Sequence, residues 1–161
     1  MSNENSNRRD FLAAALAVGS TAVVAPRVAS AQTTTAALGV TGPGRLTLHA
    51  IDTFFGVTGA WLQIDLNIQD GESDQYRLVK TVHTVTGGRT AAPVLIGEEF
   101  KTGRYELVLH LDDYLRQRGA QLPSPNFLSK VPLRFAIYDA NQNFHVPVLF
   151  SPWGYSYYRG S

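Results

Sequence analysis

The stretch LQIDLNI, residues 62–68, alternates apolar and polar side chains without a break. Successive side chains of a β-strand point to opposite faces, so this period places all four apolar side chains on one face. The stretch VPLRFAI, residues 131–137, has the same apolar period. Both stretches therefore predict strands that are buried on one side.

Turn-forming residues separate segments of this kind along the chain. Their spacing favours an antiparallel sandwich of seven or eight strands, with the sheets antiparallel throughout. Residues 112–118 predict the one short helix, because the segment has an acidic start and Gly119 beyond its end. The turn sequences are Asp70-Gly71, Gly87-Gly88, Thr102-Gly103 and Asp139-Ala140-Asn141.

The composition excludes several classes of function. The 161 residues are 44% hydrophobic, which is typical of one globular domain with a single core. The chain has 14 Lys and Arg against 13 Asp and Glu, so it lacks the basic surface that nucleic acid requires, and we expect no nucleic-acid partner. Cysteine is absent, which excludes disulfides, thiolate nucleophiles and cysteine-bound metals. The four histidines are the first candidates for groups that titrate near neutral pH.

The N-terminal residues are typical of an export signal. A polar start with Arg8 and Arg9 precedes an apolar stretch over residues 11–25, which is shorter than the roughly 20 residues of a membrane-spanning helix. The segment NRRDFL, residues 7–12, resembles the twin-arginine export motif, with Asn7 where Ser or Thr is usual. A retained membrane anchor is the weaker alternative.

The chain divides into three parts by these signals. We expect residues 1–31 to be an export signal cleaved after Ala31, which leaves a periplasmic protein with no membrane attachment. Residues 32–44 have no periodic pattern and predict a flexible lead-in. Residues 45–161 form the predicted folded domain.

Two histidines are predicted to lie outside the core. In RLTLHAI, residues 45–51, the alternating apolar residues form one face of the strand and leave His49 on the opposite face. In FHVPVLF, residues 144–150, the same alternation places His145 on the face opposite the apolar residues. By parity alone, an outward histidine is usually a solvated surface residue. The remaining pair, His83 and His110, is predicted to lie outside the core as well and to have no role in function.

The two ends of the predicted domain resemble one family. The C-terminal sequence FHVPVLFSPWGYSYYRGS, residues 144–161, closely resembles the end of the 5-hydroxyisourate hydrolases, which finish in Tyr-Arg-Gly-Ser. The sequence LTLHAIDT, residues 46–53, looks like the first strand of that family, and Gly88-Arg89 falls at the turn where the family carries its arginine. The resemblance covers residues 45–161.

The resemblance implies a fold, an assembly and a reaction. The fold would be all-β, a transthyretin-like antiparallel β-sandwich of two four-stranded sheets with one short helix. The assembly would be a homotetramer with active sites in the channel between dimers. The reaction would convert 5-hydroxyisourate, a small urate-derived substrate, to 2-oxo-4-hydroxy-4-carboxy-5-ureidoimidazoline in urate degradation. No metal and no organic cofactor is expected.

The resemblance also assigns residues to the site. His49, Arg89, His145 and Ser161 would be catalytic, and Tyr158 would bind substrate together with His49 and Arg89. His49, helped by His145, would activate water, because imidazole titrates near neutral pH, and which of the two histidines is the base stays open. Arg89 would bind ring oxygens and the developing oxyanion. Tyr158 would bond to or stack on the ring, and Ser161 would hold a histidine or the water.

Two alternatives to hydrolysis stay open. The first is a transthyretin-like small-ligand binding protein of the periplasm without hydrolase activity, although such carriers lack the histidine and arginine set and the Tyr-Arg-Gly-Ser ending. The second is an interaction domain with an inert site, which Phe54 and Phe55 suggest, because the family commonly has small or polar residues there. These phenylalanines also leave substrate preference open. A serine nucleophile is disfavoured because no Gly-x-Ser-x-Gly sequence occurs, and no histidine spacing supports a metal site.

Overall fold

The computed structural model describes residues 44–160, in which nine strands, one α-helix and one short 3-10 turn occur. Seven or eight strands were predicted, and the additional ones are accounted for by two strands of only two residues each, which are too short to recognise by alternation. In chain order the elements are β1 (Arg45–Asp52), β2 (Val57–Thr58), β3 (Gln63–Gln69), β4 (Tyr76–His83), β5 (Leu95–Ile96), the 3-10 turn Gly97–Glu99, β6 (Gly103–His110), α1 (Leu111–Gln117), β7 (Lys130–Ile137), β8 (Phe144–Ser151) and β9 (Gly154–Tyr157).

These strands form two sheets that pack face to face. One sheet, called the site sheet below, has the order β2-β1-β8-β9, and β5 pairs with the other end of β1. The second sheet, called the opposite sheet, has the order β4-β3-β6-β7. The predicted all-β sandwich with one short helix is confirmed.

The centre of the site sheet is a parallel pair. Strands β1 and β8 run in the same direction, with Thr47 aligned with His145 and His49 aligned with Pro147. The prediction that the sheets are antiparallel throughout is therefore wrong at this pair, and all other strand pairs are antiparallel. Most of the domain separates β1 from β8, so no hairpin turn dictates their relative direction.

The core lies between the inner faces of the two sheets. The predicted alternation in β3 is confirmed, because Ile64 and Leu66 are fully buried while Asp65 faces outward. Burying one leucine side chain contributes roughly 1.5–3 kcal/mol. A shift of one residue would turn these side chains out of the core, so burial of the apolar face fixes the register of each strand. Other fully buried leucines of the core are Leu46, Leu48, Leu62, Leu95, Leu107, Leu109, Leu111, Leu115 and Leu133.

The single α-helix, α1, starts and ends one residue earlier than predicted. Two acidic residues lie in its first turn, where they stabilise the positive end of the helix dipole, and Gly119 follows with φ +75°. The helix buries Tyr114, whose hydroxyl donates a 2.9 Å hydrogen bond to the Asp52 carboxylate. This bond connects α1 to the end of β1.

Several predictions concern residues outside the described part of the chain. The export signal at residues 1–31, the lead-in over residues 32–44 except for Gly44, and the terminal Ser161 lie outside residues 44–160. Gly44, the first described residue, is buried, and a Cβ atom added to it would contact Phe100. None of the helices in residues 44–160 has the length and apolar character needed to cross a membrane.

Candidate active site

His49 and His145 lie on the outer face of the site sheet. In β1, Leu48 and Ala50 point into the core, so the strand geometry directs His49 to the other side, where it is half-buried. In β8, Phe144 and Val146 are buried and His145 is half-buried on the outer face. The prediction that both histidines lie outside the core is confirmed.

The parallel pairing of β1 and β8 brings these two histidines together. His49 is aligned with Pro147, two residues beyond His145, so the histidines occupy diagonal positions on adjacent strands. Diagonal neighbours on one face of a sheet lie about 7–8 Å apart, which is within reach of one small planar molecule. The proximity depends on the strand direction, because an antiparallel pair would have a different register.

Arg89 reaches this face from the turn that follows β4. The turn is closed by hydrogen bonds between Val85 and Arg89 and between Val85 and Gly88, and the Gly88 carbonyl accepts a 2.7 Å bond from the amide of Ala50 in β1. Gly88 has φ +70°, and an added Cβ would collide with the Ala50 carbonyl. Glycine is therefore required where the turn docks on β1. One guanidinium nitrogen of Arg89, Nη2, lies 3.5 Å from Nδ1 of His49.

Thr47 is a neighbour of the site that the sequence did not single out. Its Oγ1 lies 2.9 Å from Nδ1 of His145, directly across the parallel pair. The only signal in the sequence is parity, which puts Thr47 on the same face as His49. The backbone of His145 is also held, because its carbonyl accepts a 2.7 Å bond from the amide of Gly160.

Both histidines have lowered pKa values. Partial burial, followed by the positive charge of Arg89, lowers the pKa of His49, while a backbone hydrogen bond at Gly87 acts in the opposite direction. Partial burial, then Arg89 and then His49, lowers the pKa of His145, and the backbone of Thr47 opposes this shift. Both imidazoles are therefore neutral at neutral pH and able to accept a proton.

An open groove of about 420 Å³ lies beside these groups. Arg45, Thr47, Arg89, Asn143 and His145 supply its polar lining, and residues 90–93 form much of one wall. This volume is typical of a site for a small molecule. A larger hollow of about 620 Å³, next to Gly103, has no histidine in its lining and offers no comparable chemistry.

The structure separates Tyr158 from His49. The amide of Tyr158 lies 3.4 Å from the carbonyl of Pro147, and Pro147 is in turn aligned with His49. Tyr158 thus lies two strand spacings, or roughly 10 Å, from His49. Tyr158 borders a separate hollow beside Phe144 and does not line the groove. Of the predicted set, His49, Arg89 and His145 come together within one chain.

The two remaining histidines differ from one another. His83 is exposed on β4, as predicted. His110 lies outside the hydrophobic core, as predicted, but it is not a solvated residue, because only 7% of it is exposed and its Nε2 lies 2.7 Å from the carboxylate of Asp65. The reason is that α1 begins at the next residue and covers the end of β6, while Asp65 supplies a polar partner. Neither histidine lines the groove.

The aromatic turn after β1 is organised by Asp52. This carboxylate is fully buried and accepts hydrogen bonds from the backbone amides of Phe54, at 2.9 Å, and Phe55, at 3.0 Å. Both phenylalanine rings are exposed, and the guanidinium of Arg118 lies 5.5 Å from the centre of the Phe55 ring. The buried carboxylate therefore holds the turn.

The chemistry of this face is that of imidazole, guanidinium and hydroxyl groups. Within residues 44–160, no three His, Asp or Glu side chains are arranged to hold a metal ion. A neutral imidazole can remove a proton from water, and a guanidinium can stabilise a developing oxyanion through paired donors. The described residues thus contain the groups that hydrolysis of an amide requires.

The two-sheet sandwich belongs to the transthyretin-like class of folds, and two histidines and an arginine lie together on the outer face of one of its sheets. The chain belongs to the HIUase/Transthyretin family, which its residues 46–160 match.

Three known proteins illustrate this relationship. The chain is 52% identical over 118 residues to 5-hydroxyisourate hydrolase 2 of Rhizobium meliloti. This match covers 73% of this chain and 97% of the relative. A crystal structure of (S)-allantoin synthase superposes with a TM-score of 0.69 at 35% identity, and the match covers 74% of this chain and 44% of that chain. Transthyretin from sea bream, in complex with thyroxine, shares the fold alone, with a TM-score of 0.63 at 14% identity over 72% of this chain and 94% of that chain.

Proposed function

We propose that this chain hydrolyses 5-hydroxyisourate to 2-oxo-4-hydroxy-4-carboxy-5-ureidoimidazoline, a step of urate degradation. The observation that carries the proposal is the convergence of His49, Arg89 and His145 on one face of the site sheet, beside a groove that Arg89 and His145 line. The similarity to a curated 5-hydroxyisourate hydrolase across nearly the whole length of that relative supports it.

The proposed reaction has three steps. A histidine removes a proton from water as the water oxygen attacks the ring carbonyl carbon. Arg89 stabilises the negative charge that develops on the carbonyl oxygen. The carbon–nitrogen bond then breaks, the electron pair stays on nitrogen, and a protonated imidazole or water supplies the proton that nitrogen takes up. No cofactor is required at any step.

The site also needs residues beyond this cluster. We propose that Ser161 and its terminal carboxylate hold a histidine or the water, and that Tyr158 contacts the substrate ring. Tyr158 lies roughly 10 Å from His49 in its own chain, so a second subunit is the simplest source for this contact. The proposed assembly is a homotetramer in which another subunit covers the outer face of the site sheet. The openness of the groove and the partial exposure of both histidines support this arrangement.

We propose further that the protein works in the periplasm after export through the twin-arginine route and loss of residues 1–31. Arg8, Arg9 and the apolar stretch behind them support this proposal. The test is to express the full chain and a double variant, Arg8→Lys with Arg9→Lys, and to separate periplasm from cytoplasm. Export that persists in the double variant would exclude the twin-arginine route. A mass spectrum of the periplasmic form locates the cleavage site.

The hydrolase proposal is tested with the full-length chain and freshly generated substrate. Urate oxidase converts urate to 5-hydroxyisourate, and ultraviolet absorbance follows its disappearance against the spontaneous rate. We expect faster loss of substrate with the wild type and little acceleration with His49→Ala or Arg89→Ala. The matched control is Arg104→Ala, which removes an exposed arginine from the opposite sheet.

A folded wild-type protein that leaves the spontaneous rate unchanged would refute the hydrolase proposal. In that case the groove would be tested as a carrier site by calorimetric titration with thyroxine, the ligand of the sea bream structure.

A further inference from the structure

Among residues 44–160, Thr47 makes the shortest side-chain hydrogen bond to the ring of either site histidine. Its Oγ1 lies 2.9 Å from Nδ1 of His145, while Arg89 is 3.5 Å from His49. Resting on the proposed hydrolase function, we infer that Thr47 is a positioning residue that holds the Nδ1 edge of His145 and leaves Nε2 as the proton acceptor.

The geometry of the contact is fixed by the backbone. Thr47 and His145 are directly opposite each other in the parallel pair, so no long flexible side chain is involved. Threonine is β-branched and has few χ1 rotamers in a strand, which limits the positions of its hydroxyl. Both side chains are half-buried, so water competes less for the hydrogen bond than it would at an exposed site. A threonine here therefore orients the imidazole at little entropic cost.

The proton positions follow from the partners of each ring. A threonine hydroxyl either donates or accepts, whereas a guanidinium only donates. Because Nδ1 of His145 is occupied by the Thr47 hydroxyl, Nε2 is the edge open to a substrate, and it can accept a proton only when Nδ1 donates to that hydroxyl. In neutral His145 the proton therefore resides on Nδ1. Its Nε2, which has no hydrogen bond to any residue of the described chain, carries the lone pair.

His49 has the opposite arrangement. Its Nδ1 faces Nη2 of Arg89, which can only donate, so this nitrogen accepts and the proton of the neutral ring resides on Nε2. The two rings thus present different groups. His145 is able to take the proton from water, whereas the lone pair of His49 is occupied by Arg89. This division assigns the role of base to His145, a choice that the sequence left open between the two histidines.

Two substitutions at one position separate positioning from packing. Thr47→Val keeps the β-branched shape and removes the hydroxyl, and Thr47→Ser keeps the hydroxyl and removes a methyl group. We expect Thr47→Val to lower kcat about 10-fold, the effect of one lost hydrogen bond, with KM changed by less than about twofold. Thr47→Ser should restore kcat to within about threefold of the wild type. The matched control is Thr81→Val, which removes the 2.6 Å bond from Thr81 to Asp65 in the opposite sheet and should leave kcat unchanged.

A spectroscopic measurement addresses the ring itself. Nitrogen-15 spectra of the imidazoles at neutral pH distinguish Nδ1–H from Nε2–H, and His145 should show Nδ1–H in the wild type. Thr47→Val should shift the His145 signals toward a mixture of tautomers and leave the His49 signals in place. Circular dichroism confirms that each variant is folded, and Thr47→Ala replaces Thr47→Val if the latter does not fold.

The outcomes are distinct. Unchanged kcat together with unchanged His145 signals in the folded variant would overturn the inference, as would an Nε2–H tautomer in the wild type. A wild type without hydrolase activity would refute the proposed function instead, and the nitrogen-15 spectra would still decide whether Thr47 sets the His145 tautomer.

Discussion

Arg89 Nη2 lies 3.5 Å from His49 Nδ1, although 40 residues separate the two along the chain. The contact places a fixed positive charge beside an imidazole on the outer face of the site sheet. Such a charge disfavours protonation of the ring, because two cations would then be adjacent. Arg89 therefore has an electrostatic effect on the histidines as well as a proposed role in binding the oxyanion.

We predict that Arg89→Gln raises the pKa values of His49 and His145. The positive charge of Arg89 lowers both values, so its removal should bring them closer to the ordinary 6.5, while partial burial keeps them below it. Titration of the ring proton signals by NMR measures both shifts. Arg104→Gln, on the opposite sheet, should leave both values in place. Equal titration curves for wild type and Arg89→Gln would contradict the electrostatic coupling.

We predict that the acid limb of hydrolysis has its midpoint below pH 6.5. A histidine base acts in its neutral form, and the lowered pKa values of His49 and His145 keep more than half of either ring neutral at pH 6.5. The measurement is kcat/KM against pH, with short assays and subtraction of the spontaneous rate at each pH. An acid limb with its midpoint above pH 6.5 would mean that neither histidine is the essential base in this environment.

We predict that Tyr114→Phe destabilises the fold by about 1–3 kcal/mol, because it leaves a buried oxygen of Asp52 without its hydrogen-bond donor. Urea unfolding followed by fluorescence gives the change in free energy of unfolding. Tyr138→Phe is the matched control, since that tyrosine is 62% exposed, and it should change stability by less than about 0.5 kcal/mol. Equal stabilities for the two variants would show that the Tyr114–Asp52 bond contributes little.

We predict that Gly88→Ala is more damaging than Gly87→Ala. Both glycines have positive φ, so alanine is strained at either position, by roughly 1 kcal/mol. At Gly87 the new methyl group meets nothing within 4 Å, whereas at Gly88 it collides with the carbonyl of Ala50. Gly88→Ala should therefore cost more stability and also lower hydrolysis, because it displaces Arg89. Equal losses of activity in Gly88→Ala and Gly87→Ala would show that the docking of this turn on β1 does not position Arg89.

The fold was largely predictable because its signals are local. The alternation over residues 62–68 and 131–137 is a property of consecutive residues and does not depend on the neighbours of a strand. The same holds for the helix at Leu111–Gln117, whose acidic first turn and following Gly119 are recognised from sequence. The direction of β1 relative to β8 was predicted wrongly, since it depends on segments far apart in the chain.

The candidate site was predictable only in part. Parity identified the outward faces of His49 and His145, and the resemblance to a family added Arg89. The burial of His110 was missed because it depends on α1 folding over the end of β6. The roles of the site residues, including Tyr158 and Ser161, stay predictions.

By itself, the sequence determined that the chain forms half-buried strands, that two histidines point away from the core, and that the C-terminal residues match one family. These conclusions rest on the period-two geometry of a strand and on residue identity, which need no knowledge of distant contacts. Tertiary structure alone decided that β1 and β8 run parallel, and hence that Thr47 meets His145 while Tyr158 lies apart from His49. The physical reason is that strand neighbours, direction and register are set by closing the whole core, where burial of all apolar faces together selects one arrangement.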